Sequence, residues 1–129
     1  MSAREEVHNA INAESLFKDS MKRLQEICEP YGIEAFQFVL AALEHTQGLL
    51  PARRHVTGRE LLDGILAHGK KEFGPMALSV FEHWGIVSTE DFGRIVFTMV
   101  EAGILAKTEN DSLADFKDVY DLKKVFEPR

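Results

Sequence analysis

The sequence predicts a mainly α fold: a helical domain that ends in a winged-helix-like unit of three helices and a short β-hairpin. Three observations carry that expectation. Apolar residues recur at helical spacing over most of the chain, glycine and proline punctuate these stripes, and two capping patterns mark helix starts. A length of 129 residues fits a single domain, 1–129. Within it, residues 1–50 read as N-terminal packing helices and 57–126 as the winged-helix-like unit.

The first stripe is Leu16, Phe17, Met21, Leu24, Ile27 and Cys28, closed by Pro30 and Gly32. The second is Phe36, Val39, Leu40 and Leu43, widened by Phe38 and Ala42, and a stripe that wide implies burial on more than one side. Gly48 ends it, and residues 49–56 read as a connecting loop. Thr57-Gly58-Arg59-Glu60 is a capping box for a helix over 58–73 that buries Leu61, Leu62, Ile65, Leu66 and Phe73. Gly64 and Gly69 inside it imply close packing, since each costs a helix about 1 kcal/mol relative to Ala. Gly74-Pro75 starts a helix over 75–84 that buries Ala77, Val80, Phe81 and Trp84 and closes at Gly85. Ser88 to Asp91 caps a helix over 89–102, which turns Phe92, Ile95, Val96, Met99 and Val100 inward and stops at Gly103. The tail fits two patterns: residues 116, 120 and 122 alternate as a strand would, whereas 116, 119, 120 and 123 fit a helical stripe. Ser112 to Asp115 is a candidate helix cap, but a hairpin over 104–122 is the expectation, and with it the order helix, helix, turn, helix, hairpin is that of a winged helix.

From about Tyr31 to Phe126 the chain resembles an uncharacterised bacterial protein family of unknown function. His55-Val56-Thr57-Gly58-Arg59-Glu60-Leu61-Leu62, Trp84-Gly85 with Thr89-Glu90-Asp91-Phe92-Gly93, and Val119-Tyr120-Asp121 carry the resemblance. It implies no activity and transfers no catalytic or binding residue.

The net charge of −6, spread evenly along the chain, works against broad attraction to nucleic acid or anionic lipid. A single cysteine excludes an internal disulfide and suits a cytoplasmic protein. The N-terminus shows no signal-peptide pattern, and no apolar run is long enough to span a bilayer, so no membrane association is expected.

Two groups of residues stand out as candidate sites. Arg53, Arg54, His55, Thr57, Gly58 and Arg59 bring guanidinium groups to a helix start, where free N–H groups and the helix dipole favour an anion. The reading of Arg53 and Arg54 as solvated loop residues that pair with nearby Glu is the stronger expectation. On the 89–102 helix, residues 90, 91, 94, 97, 98 and 101 are expected to face outward, which sets three acids against Arg94 alone and opposes a phosphate-lined groove. Arg94, Phe97 and Glu101 on that face form the candidate protein-interaction surface, although Phe97 fits the core better than solvent.

His68 and Glu72, four apart, are too few ligands for a zinc site, and Cys28 has no His at a suggestive spacing. The glycine spacing gives neither a phosphate loop nor a dinucleotide fingerprint. No catalytic residue, metal or cofactor is therefore expected. The leading expectation is a non-enzymatic module that binds another protein or a second copy of itself. Nucleic-acid or ribosome binding through residues 53–59 is the alternative, followed by an enzyme of unrecognised type.

Overall fold

The computed structural model describes residues 1–3, 22–23, 25–27, 30–52 and 54–126, and within them the chain is mainly helical. The elements in order are β1 (Ser2–Ala3), α1 (Ile33–Gly48), α2 (Gly58–Phe73), a 3-10 turn (Gly74–Met76), α3 (Ala77–His83), α4 (Thr89–Glu101), β2 (Leu105–Ala106), a second 3-10 turn (Leu113–Phe116) and α5 (Leu122–Val125). Of the first apolar stripe, Leu16, Phe17, Met21, Leu24 and Cys28 lie outside the described residues. Residues 22, 23 and 25–27 are helical, and Ile27 is exposed.

The wide stripe of α1 is buried on several sides. Ala35, Phe36, Phe38, Val39, Leu40, Ala42 and Leu43 all lose their solvent, because α1 packs against α2, α4 and β1 together. The α1–α2 crossing is close. A Cβ added at Gly64 would run into the Thr46 hydroxyl, which is buried and donates to the Ala42 carbonyl at 2.7 Å. One end of the core is aromatic: Phe81 lies 5.4 Å from Phe38, 5.4 Å from Phe92 and 5.0 Å from Phe126, all three edge to face.

The chain leaves α2 through Gly74, whose φ of 52° lies in the left-handed region that glycine adopts most readily. The expected helix over 75–84 is divided here. Gly74–Met76, with Pro75 near its start, forms a 3-10 turn, and the α-helix proper is Ala77–His83. Helix α4 occupies its expected place and buries Phe92, Ile95, Val96 and Met99.

The expected hairpin over 104–122 is not what forms. Leu105 and Ala106 pair instead with the start of the chain, Ser2 opposite Ala106 and Ala3 opposite Leu105 in antiparallel register. Met1 extends this contact, donating from its amino group to the Val56 carbonyl at 2.6 Å and to Asp111 Oδ2 at 3.1 Å. With β2 already paired, the tail is free to follow its local capping chemistry. Asp115 accepts the Ser112 N–H at 3.0 Å and Asp121 accepts the Lys123 N–H at 3.0 Å, so 113–116 and 122–125 each wind into a helical turn. Side chains then fasten the tail where a sheet would have: the Thr89 hydroxyl donates to the Phe116 carbonyl at 2.6 Å, and Tyr120 OH donates to the Leu62 carbonyl at 2.7 Å.

Phe116 is the main wedge of this tail. Its ring stands 3.2 Å from where a Cβ would sit at Gly58, and its Cβ and Cγ stand 2.8 Å from the same position at Gly93. Because a Phe116 Cβ so near the backbone has little room to yield, G93A should destabilise the fold by about 1–3 kcal/mol through overpacking. A thermal melt of the variant reads this directly, and an unchanged midpoint would mean that the tail is not packed on α4 as described.

Candidate interaction surface

The α4 helix is held by a carboxylate that sequence reasoning puts in water. Asp91 is 5% exposed. Its Oδ1 accepts from Tyr31 OH at 2.6 Å and from Arg94 Nη1 at 2.8 Å, while Oδ2 accepts the N–H groups of Val87 and Ser88 at 2.9 and 3.2 Å. The correction has a physical cause. Asp91 is the third residue of the helix after the Ser88 cap, where a carboxylate reaches back to orphan N–H groups, and Tyr31 closes over it from the approach to α1. Burial alone would raise the Asp91 carboxyl. The hydrogen bonds from Tyr31, Val87 and Ser88 together with the Arg94 charge outweigh burial and hold it below its ordinary value. Tyr31 shifts the other way, raised by burial and by the Asp91 acceptor.

With Asp91 removed, the outward face of α4 is Glu90, Arg94, Thr98 and Glu101, with Phe97 at its edge. Arg94 is 50% exposed and its Nη2 also reaches Glu90 at 3.2 Å. Phe97 belongs half to the core, its ring edge to face with Phe116 at 6.3 Å. Two exposed apolar side chains flank this face. Leu113, 43% exposed, lies over Gly93 on one side. Ile27, 40% exposed, lies on the other and lines an open groove of about 470 Å³ with Arg23, Glu26, Thr98, Glu101 and Ala102.

The basic loop shows the pairing with a nearby Glu that its sequence allows. Arg53 lies outside the described residues. Arg54 grips Glu60 with both terminal nitrogens, at 2.8 and 2.7 Å, and Arg59 faces Asp63 at 3.3 Å. The Arg54 hydrogen bonds and the Thr57 N–H bring the Glu60 carboxyl down to about 2. Thr57 and Glu60 form the expected capping box, the Thr57 hydroxyl accepting the Glu60 N–H at 3.1 Å. An open cleft of about 400 Å³ adjoins this helix start, and its lining combines His55, Thr57, Gly58 and Arg59 with the carboxylates of Asp111 and Asp115. Gly58 is buried and serves packing, since Asp115 Cβ stands 3.0 Å from where its own Cβ would be.

His68 lies against Phe38 and His45 in tilted ring contacts, at 5.3 and 5.7 Å, and its Nδ1 is shielded without a hydrogen-bond partner. Burial lowers its basicity, against the opposing charge of Glu72. Among the described residues no three of His, Cys, Asp and Glu come together as a metal would need, and no helix is long and apolar enough to cross a membrane. Neither a family model, a curated protein nor a solved structure matches the chain. That outcome agrees with a resemblance confined to an uncharacterised family.

Two pH effects follow. Asp91, held below its ordinary 3.8, contributes stability that is present above that pH and lost as the pH falls through the folded value. D91N should therefore be less stable near neutrality and less acid-sensitive in urea midpoints taken between about pH 5 and 2. Asp111 and Glu60 are depressed too, so the slope shrinks without vanishing. His68, depressed below 6.5, gives full stability above 6.5 and loses it as the pH falls further. H68F should flatten the urea midpoint between about pH 7 and 5, and an unaltered slope would assign that titration elsewhere.

Proposed function

We propose that the chain is a non-enzymatic interaction module that binds another protein through the outward face of α4. The observation that carries this reading is the face itself: a half-buried aromatic, Phe97, between two exposed aliphatic side chains, Leu113 and Ile27, with Arg94 and Glu101 among them. Aromatic and arginine anchors inside a polar surround are what protein interfaces favour. The order of α2, α3 and α4 is compatible with the helical part of a winged-helix-like unit. A cytoplasmic setting suits the single cysteine.

Nucleic-acid or ribosome binding through residues 53–59 has weaker support. Arg54 and Arg59 already face Glu60 and Asp63, and the adjoining cleft contributes two carboxylates, so little positive potential is left over for phosphates. On α4, burial of Asp91 removes one acid from the exposed face, yet Glu90 and Glu101 still outnumber Arg94.

A random peptide library displayed on phage tests the reading against the whole chain. The expected result is enrichment of peptides whose affinity falls about tenfold or more on the L113E variant, which sets a carboxylate in place of the apolar flank. Absence of enrichment, or peptides that bind L113E equally well, would overturn it. So would retention on immobilised RNA that falls steeply with salt.

A further inference from the structure

We infer that the partner for which the α4 face is built is a second copy of the same chain, docked with its α4 antiparallel to the first. This rests on the interaction reading above and adds the identity of the occupant.

The pattern of charge is the argument. Arg94 and Glu101 are seven residues apart, two helical turns, and so lie on the same side of α4 about 10 Å from each other. Phe97 and Thr98 sit between them. A two-fold axis passing between positions 97 and 98, perpendicular to the helix, brings Arg94 opposite the partner's Glu101 and Glu101 opposite the partner's Arg94. The same operation sets Phe97 against the partner's Thr98. One helix face thus supplies both halves of a reciprocal ion pair, which is the self-complementarity an isologous interface requires. An antiparallel pair of helices also sets their dipoles favourably.

The neighbouring groups are disposed to complete such a contact. Arg94 uses Nη1 for Asp91 and Nη2 for Glu90, but a guanidinium carries five N–H groups and the side chain is half exposed. Glu101 is exposed at the mouth of the groove that holds Ile27, and Leu113 borders the opposite flank. A helix of 13 residues is about 20 Å long, so α4 with its two flanks offers less than the roughly 800 Å² per partner of a standard interface. The dimer is accordingly weak and reversible, with a dissociation constant on the order of 10–100 μM.

Sedimentation equilibrium of the full chain, wild type and charge-reversed, provides the test. Wild type should show a monomer–dimer equilibrium in that range. R94E and E101R should each weaken self-association about tenfold or more, since each sets like charges opposite one another twice. An equimolar mixture of R94E and E101R should associate as wild type does, because every pair across the axis is then of opposite sign. E101R alters an exposed side chain and keeps the Asp91 contacts, so its result decides the dimer even if R94E folds poorly.

A wild type that stays monomeric to about 1 mM would overturn the dimer, as would single variants that associate unchanged or a mixture that fails to recover. Failure here with peptide selection that still depends on Leu113 would sink only the second copy as partner. Loss of the Leu113 dependence would sink the interaction reading itself.

Discussion

The carboxylate of Asp91, withdrawn from water between α4 and the approach to α1, sets the geometry on which the rest depends. One group satisfies two orphan N–H groups at the start of α4, takes the Tyr31 hydroxyl and anchors Arg94. A buried charge is tolerable only when it is matched in this way. Here the matching fixes the rotation of α4 about its axis. With Asp91 turned in, Phe92, Ile95, Val96 and Met99 fall into the core, and Arg94, Thr98 and Glu101 fall outside it. The exposed character of that face is therefore a consequence of the cap beneath it.

The two candidate regions differ in how their charges are spent. At the start of α2 each described arginine has an acidic neighbour on the same helix, Glu60 or Asp63, so the loop is close to electrically closed. On α4 the pairing is unequal. Arg94 meets two carboxylates at one end of the face, whereas Glu101 lies two turns away near apolar surface. Glu101, which has no ion pair among the described residues, is therefore the charge on this face left for a partner to meet.

Much of the fold could be read from the residues, for reasons that are local. The Thr57–Glu60 box, the Gly85 and Gly103 stops and the inward stripe of α4 are decided within a few residues, and each lies where its spacing puts it. The width of the α1 stripe foretold burial on several sides. Where the reading failed, the deciding partner was distant in sequence. Leu105 and Ala106 have the look of a wing strand, but their partner is Ser2–Ala3, about a hundred residues away, and no periodicity reports that. Asp91 was recognisable as a capping residue from Ser88-x-x-Asp91, yet its burial depends on Tyr31, sixty positions earlier. Of the candidate site residues, Arg54, Glu101 and Arg94 were visible as charges. The pairing of Arg54 with a nearby Glu was legible too, whereas that of Arg94 with a buried Asp91 was not, because a sequence shows the charges without the burial.

The Phe116 ring reaches both helix α2, at Gly58, and helix α4, at Gly93, and it also meets Phe97 at the edge of the exposed face. The short turn that carries it is thus a mechanical link between the basic cleft and the α4 surface, which share no residue. Anything that levers Leu113–Phe116 away from one helix must loosen its grip on the other. Substitutions in the two regions should consequently be read as coupled perturbations of one joint, with energies that do not simply add.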